Sequence, residues 1–135
     1  MISPKVVCHS LLSRLCLTCL ALLSCGSWLS ANPVVYKAGN SSKGKHLVFV
    51  ASDHEYRAEE TLPALARILT VHHGFDCTVL FGLNTEGEIE AGASNIPGLE
   101  VLKDADGMVI FTRFLALPPD QMKHIDDYLN RAGPV

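Results

Sequence analysis

The chain has 135 residues, enough for one domain but not for two. Hydrophobic residues make up 48% and charged residues 19%, which is typical of a globular protein. The formal net charge is -3, and the part of the chain after residue 31 is more acidic still, because the basic residues Lys5 and Arg14 have no acidic neighbours in the first 31. This balance argues against a nucleic-acid partner and against docking on anionic lipid, since both need a basic face.

Residues 1–31 have the features of a secretory signal peptide. Lys5 and Arg14 precede the apolar run LCLTCLALLSC, which is shorter than the ~20 residues needed to span a bilayer, and the small residue Ala31 closes the segment. The pattern predicts cleavage and export to the periplasm or the extracellular space. Two alternatives remain open: an uncleaved membrane anchor, and a lipoprotein signal ending at residue 24 with acylation of Cys25, because Leu22-Leu23-Ser24-Cys25 resembles a lipoprotein box.

Only one of the five cysteines, Cys77, lies outside this export segment. A single thiol predicts no internal disulfide in the exported part. Because Cys77 falls within a strand pattern, we expect it to be a small buried hydrophobic residue and not a nucleophile.

Residues 32–44 are rich in Gly, Ser and Asn, which predicts a linker leading to a domain over residues 45–135. The domain begins with a strand at 46–52 that is apolar on both faces, typical of a central parallel strand. A helix is predicted over 61–73, with Thr61 as its N-cap and Gly74 as its C-cap. Its expected buried stripe is Leu62, Leu65, Ile68 and Leu69.

The second half of the domain repeats this alternation. A strand at 76–81 is followed by a long polar loop at 82–97, a candidate for the rim of a site, and by a short helix at 99–104. A third strand at 107–112 precedes a helix that ends at Arg131, capped by Gly133. Its expected buried stripe is Met122, Ile125 and Leu129, and Pro134-Val135 is predicted to start a fourth strand.

Alternating strands and helices predict a parallel α/β sheet with right-handed crossovers. The expected fold is flavodoxin-like, with three layers and the strand order 2-1-3, so that the first and third strands are neighbours. Residues 53–57 and the pair Arg113-Phe114 would then meet at the carboxyl edge of the sheet, where open α/β sheets bind ligands.

The residues at this edge suit a small polyol or carbonyl substrate. Candidate catalytic groups are the base His54 and the carboxylate Glu55, and the candidate substrate-binding residues are Tyr56, Arg57, Arg113 and Phe114. The alternative is structural: Glu55 and Arg57 pair with each other or cap the helix, and Tyr56 packs under the loop. No metal site is predicted, since the paired histidines at 72 and 73 diverge on a helix and Ala58 stands where a zinc-protease motif needs its second His. No cofactor is indicated.

Several segments in the right order, VFVASDHEYRAEETLPALARIL, HHGFDCTVLFG, NIPGLEVLKDADGMVIFTRF and LPPDQMKHIDDYL, resemble the ThuA-like (trehalose utilisation) family over residues 45–135. The resemblance implies the flavodoxin-type fold of class I glutamine amidotransferase-like proteins and a link to sugar or keto-sugar metabolism or binding. The export signal and the Glu55-Tyr56-Arg57 loop resemble members from planctomycete-type bacteria.

The chain departs from the family pattern after its third strand. Members continue through a fourth strand into a loop with Arg and His, so we expect this chain to be a truncated or incomplete domain. Glutamine amidotransferase activity is not expected, since its nucleophilic Cys and its His lie further on in such enzymes. Two alternatives follow: an enzyme of carbohydrate metabolism, and a non-catalytic binding or interaction module or non-functional gene fragment.

Overall fold

A computed structural model describes residues 33–135. The predicted signal peptide and the alternative acylation site at Cys25 lie outside these residues. The fold is α/β and contains a four-stranded sheet in the order β1-β3-β2-β4. The strands are β1 (Val34–Tyr36), β2 (His46–Ser52), β3 (Asp76–Phe81) and β4 (Gly107–Thr112).

The three predicted strands are confirmed as β2, β3 and β4. β2 is central and pairs in parallel with both β3 and β4, so these three strands have the predicted order 2-1-3. β2 and β3 are buried along most of their length, which is expected of parallel strands covered on both faces, whereas β4 is buried only at Gly107 and Met108.

The segment at 32–44 differs from its prediction as a linker, because it contains β1. This strand pairs antiparallel with β3, with Val34 opposite Val79 and Tyr36 opposite Cys77. The sheet is therefore mixed and not purely parallel. The physical reason is local: Val-Val-Tyr is a run of strand formers, and it covers the edge of β3 that would otherwise be open.

Residues 33–135 contain two α-helices and two 3-10 helices, of which the last α-helix follows β4 and the others lie between strands. They are α1 (Ala58–His73), α2 (Pro119–Asn130) and the 3-10 helices Gly39–Ser41 and Leu99–Asp104. The predicted C-cap at Gly74 is confirmed by its φ of 73°. The predicted N-cap at Thr61 is wrong, since α1 begins one turn earlier, after Arg57.

The core lies on both faces of the sheet, because successive side chains of a strand point in opposite directions. On one face Phe49, Ala51 and Val79 pack with residues of α1. On the other face Val48 and Val50 pack with the second 3-10 helix and α2. Cys77 belongs to the α1 side and is fully buried, and burial raises the pKa of its thiol. The prediction of a buried hydrophobic cysteine is confirmed.

The predicted buried stripes of both helices are partly wrong. On α1, Leu65 and Ile68 are 39% and 50% exposed, and the core is made instead by Ala58, Leu62 and Ala66. Small alanines allow the helix to approach the sheet closely. On α2, Met122 and Leu129 are exposed and Tyr128 is buried beside Ile125.

The end of the chain lies against the outer edge of β4. The Pro134 carbonyl accepts a hydrogen bond from the Met108 N–H at 3.0 Å and another from the Tyr128 hydroxyl at 2.6 Å. No strand is formed at residues 134–135. The predicted cap at Gly133 is wrong, because α2 ends at Asn130 with Arg131 as its C-cap residue. None of the helices in residues 33–135 is long and apolar enough to cross a membrane.

Candidate functional site

Two loops leave the carboxyl edge of the sheet side by side. Ser52 and Thr112, the last residues of β2 and β4, are register partners, so the loops that follow start next to each other. The Arg113 guanidinium forms an ion pair with the Glu55 carboxylate across this gap. The structure thus confirms the predicted contact between the two segments.

Asp53 sets the shape of the first loop. Its side chain is buried, and its Oδ1 accepts hydrogen bonds from the N–H groups of Glu55 and Tyr56, each at 2.8 Å. An aspartate that bonds backbone groups two and three residues ahead fixes a turn. Asp53 is therefore a positioning residue that directs Glu55 and Tyr56 outward.

Each of the two loops contains a non-glycine residue in the left-handed conformation. Arg57 has a φ of 53° and Phe114 a φ of 56°. Such a conformation costs on the order of 1–3 kcal/mol for an ordinary residue and persists only where the surroundings enforce it. Strain of this kind concentrates at functional sites, so its presence in both loops supports a role for this surface.

Each of the two loops also carries an exposed aromatic ring. Tyr56 is 57% exposed and stacks on Phe111, with ring centroids 6.0 Å apart and an interplanar angle of 12°. Phe114 is 84% exposed, and the Arg113 guanidinium lies 4.9 Å from its ring centroid. The His54 ring is 6.3 Å from the same Phe114 ring. Four of the six predicted residues, His54, Glu55, Arg113 and Phe114, are therefore connected by contacts, and Tyr56 contacts Phe111 at the end of β4.

The sixth residue, Arg57, pairs elsewhere. Its guanidinium contacts Glu60 in the first turn of α1 and not Glu55. The structural alternative for the loop is seen in part: Arg57 is the N-cap residue of α1, whereas Glu55 pairs with Arg113 and Tyr56 is exposed. Arg57 lies beside the site, but its charge is directed toward the helix.

The long loop at 82–97 forms a third side of the site. The Ser52 hydroxyl donates to the Ala93 carbonyl at 2.8 Å. A Cβ on Gly92 would lie 2.9 Å from the His54 Cβ, so only glycine fits that close to the base. The loop was predicted to be a candidate for the rim of the site, but Ser52 and Gly92 were not among the predicted residues. The only signals were the length of the loop and its glycines.

The same loop is tied to the segment that follows β4. The Ala116 N–H donates to the Ser94 hydroxyl at 3.0 Å, and Gln121 bonds both the Ile96 N–H and the Asn95 side chain, at 2.7 and 2.8 Å. Hydrogen bonds thus hold the loop at 82–97 to the end of β2 and to the segment that follows β4.

The arrangement offers hydrogen-bonding groups and aromatic faces on an open surface. Glu55 and Arg113 retain 49% and 39% of their side-chain exposure. Within residues 33–135, no group of three or more His, Cys, Asp or Glu side chains is placed to hold a metal ion. Chemically, the site can accept hydrogen bonds at the carboxylate, donate them from the guanidinium and stack apolar faces.

Comparison of the chain with protein-family models, curated proteins and solved structures found no significant match.

Proposed function

We propose that this protein is a ThuA-like domain with the three-layer, flavodoxin-like arrangement of that family. The order of its three parallel strands supports the proposal, as do the two core clusters on opposite faces of the sheet. In such folds ligands bind beyond the carboxyl ends of the strands, at the point where the strand order reverses. Here that point lies between β2 and β4, where Glu55 and Arg113 meet.

The ligand we propose for this surface is a small carbohydrate, a sugar or keto-sugar. The observation that carries the proposal is the Glu55–Arg113 ion pair, with the exposed ring of Phe114 against the guanidinium and the exposed ring of Tyr56 on the same loop as Glu55. Sugar hydroxyls both donate and accept hydrogen bonds, so one hydroxyl can bond a carboxylate and a neighbouring one a guanidinium. The apolar C–H face of a sugar ring matches an exposed aromatic ring, and small-molecule sites combine such faces with a few polar groups.

Binding is favoured over catalysis. His54 and Glu55 remain the candidate acid–base groups, but both are open to water, and the carboxylate is already held by Arg113. Acid–base chemistry on a substrate gains from a site that excludes water. We therefore propose a carbohydrate-binding module, and an enzyme of carbohydrate metabolism as the second candidate.

Calorimetric titration of the full chain with a panel of aldoses, ketoses and disaccharides tests the proposal. We expect at least one sugar to bind, and R113A to weaken that sugar by about tenfold or more, since a charged hydrogen bond contributes roughly 1.5–3 kcal/mol. R67A, which removes an exposed arginine from α1, is the matched control and should leave the affinity unchanged. No binding across the panel, or equal losses in both variants, would contradict the proposal.

A turnover assay on the same panel separates the two candidates. If the site only binds, no sugar is consumed by the wild-type chain. Consumption that disappears in E55Q or H54Q, and persists in R67A, would favour the enzyme.

Export remains a proposal that rests on residues 1–31 of the sequence. Mass spectrometry of the mature N-terminus in an expressing bacterium tests it. A first residue at position 32 indicates cleavage, and an acylated Cys25 indicates lipid anchoring. An intact Met1 would contradict both.

A further inference from the structure

A cavity of about 270 Å³ lies between the second 3-10 helix and α2. The residues of α2 that line it follow one another at spacings of three and four, so they share one face of the helix. All the side chains that line the cavity are ionisable: Glu100 and Lys103 of the 3-10 helix, His124, Asp127 and Tyr128 of α2, and the C-cap residue Arg131. The cavity is therefore built to meet a polar ligand.

Contacts of Arg131 make one end of the cavity rigid. Its guanidinium donates hydrogen bonds to the carbonyls of Leu102 and Ala105 at 3.0 and 2.6 Å. The same guanidinium lies 4.6 Å from the ring centroid of Tyr128, which is buried. Because Leu102 and Ala105 come shortly before β4, this end of the cavity lies toward the amino edge of the sheet. The cavity is thus separate from the proposed sugar-binding surface at the carboxyl edge.

The remaining charged groups of the cavity differ in whether they already have a partner. Asp127 forms an ion pair with Lys123 at 2.5 Å. Glu100, Lys103 and His124 take part in none of the ion pairs of residues 33–135. Side chains three residues apart eclipse each other on a 3-10 helix, so Glu100 and Lys103 lie side by side without forming an ion pair. The cavity therefore presents an unpaired acid next to an unpaired base.

We propose that this cavity binds a free α-amino acid as its zwitterion, with the ammonium at Glu100 and the carboxylate at Lys103 and His124. An α-amino acid carries both charges on one carbon atom, which matches an acid and a base that lie side by side. The imidazole offers an N–H donor to the carboxylate in either protonation state. A simple anion would be repelled by Glu100, and a simple cation by Lys103. The volume is close to the lower limit of roughly 300 Å³ for small-molecule sites, which suits so small a ligand.

An NMR titration of the full chain, followed at the amides of residues 100–103 and 124–131, tests the proposal. The ligands are alanine, serine and leucine, each as the free amino acid, as the N-acetyl form without the ammonium and as the carboxamide without the carboxylate. We expect at least one free amino acid to bind. Each blocked form should bind about tenfold or more weakly, because it lacks one of the two charged hydrogen-bonding groups.

Two variants assign the charges of the ligand to residues of the cavity. E100Q should remove the preference for the free amino acid over its N-acetyl form, and K103M should remove the preference over the carboxamide. R67A is the matched control, because Arg67 is an exposed cation on α1, which covers the other face of the sheet. It should retain both preferences. Circular dichroism checks that all three variants fold.

The proposal shares no residue with the Glu55–Arg113 surface, so it stands or falls independently of sugar binding. No shift of these amides with any free amino acid would overturn the site. Equal binding of the free and N-acetyl forms would indicate a simple anion site and would overturn the zwitterion as the ligand. Preferences that persist in E100Q and K103M, or that disappear in R67A, would overturn the roles of Glu100 and Lys103.

Discussion

The two ends of the sheet carry the same kinds of charged residue but use them differently. At the amino end, Asp76 accepts the Ala38 N–H at 2.9 Å and pairs with Lys37 at 3.1 Å. Asp106 likewise accepts the His46 N–H at 2.8 Å and pairs with Lys45 at 2.8 Å. At the carboxyl end, neither Glu55 nor Arg113 is bound to a backbone group of the described residues through its side chain.

The difference separates charges that hold the fold from charges that are presented to solvent. The amino-end carboxylates accept hydrogen bonds from backbone N–H groups. Asp76 of β3 is bonded to residues 37–38 and Asp106, just before β4, to residues 45–46, so the role of both is structural. At the carboxyl end Asp53 accepts hydrogen bonds from the N–H groups of Glu55 and Tyr56. The side chains of Glu55 and Arg113 form an ion pair with each other. A polar pair whose side chains bond no backbone group, beside the exposed Phe114 ring and between two strained loops, suits a binding surface.

The largest expected effect comes from Asp53, the one structural acid of the carboxyl end. D53A should lower the free energy of unfolding by about 1–3 kcal/mol, because it leaves the partly buried N–H groups of Glu55 and Tyr56 without their acceptor. D53N keeps the acceptor oxygen and should cost less than half as much. D126A, an exposed acid on α2, should stay within about 0.5 kcal/mol. Chemical denaturation of the three variants measures this, and equal effects in D53A and D126A would remove Asp53 as the foundation of the site.

Lowering the pH should reduce the free energy of unfolding through Asp76 and Asp106, the two carboxylates at the amino end of the sheet. The Ala38 N–H and Lys37 lower the pKa of Asp76, and Lys45 and the His46 N–H lower the pKa of Asp106. Lowered carboxyl pKa values stabilise the folded chain above the unfolded value of about 3.9, and this contribution is lost as the pH falls below it. Denaturation curves at several pH values should show that the free energy of unfolding declines below about pH 3.9, and that the decline is smaller in D76N and D106N. A wild-type slope in D106N would contradict this role.

His46 should affect the free energy of unfolding at a higher pH than the two carboxylates do. Burial lowers the pKa of its imidazole, whose ring nitrogen lies 2.8 Å from the Thr78 hydroxyl. Because the neutral form is favoured in the folded chain, the stabilising contribution is present above about pH 6.5 and is lost as the pH falls through the lowered value. H46Q should flatten the stability profile between about pH 5 and 7. An unchanged profile in H46Q would exclude His46 as its source.

Substitutions of Phe114 distinguish the cost of its left-handed backbone conformation from the contribution of its ring to sugar binding. F114G should raise the free energy of unfolding by about 0.5–1 kcal/mol, since glycine adopts the left-handed conformation freely but loses more chain entropy. F114A keeps the strain and should bring no such gain. Both variants should lose sugar affinity, because both remove the exposed ring. A destabilised F114G would show that the ring contributes to the fold.

The Glu55–Arg113 pair should have the smallest effect on stability. Both side chains are more than one-third exposed, and exposed ion pairs contribute at most about 1 kcal/mol. A double-mutant cycle of E55A and R113A should therefore give a coupling energy below about 1 kcal/mol. A value above about 2 kcal/mol would make this pair structural, like those at the amino end, and would remove the contrast between the two ends.

The three parallel strands were predictable, whereas the edge strand β1 and the faces of the helices were not. β2, β3 and β4 are short apolar runs that end in turn residues, a pattern that strands leave in sequence. On α1 two apolar arcs lie side by side, and periodicity alone does not show whether Leu65 or Ala66 faces the sheet. The Tyr128 hydroxyl donates to the Pro134 carbonyl, which satisfies the polar end of this buried ring. Residue types alone do not reveal this contact between α2 and residue 134.

The candidate site was predictable as far as chain order determines it. Strand order places Glu55 near Arg113, and the structure confirms their contact. The loop at 82–97 could not be placed, because the Ser52 hydroxyl holds it through a backbone carbonyl, and every residue carries one. The left-handed conformations of Arg57 and Phe114 were also not predictable, since these residue types do not favour that region.

The most direct test of the account is a sugar titration followed by amide NMR spectra of the full chain. The account predicts that chemical-shift changes concentrate at residues 54–57 and 113–116, with the amino-end amides of His46 and Ala38 unchanged. It further predicts that these changes disappear in R113A and persist in R67A. Shifts at the amino end, or none at the carboxyl end with any sugar of the panel, would contradict the claim that the carboxyl edge is the binding surface.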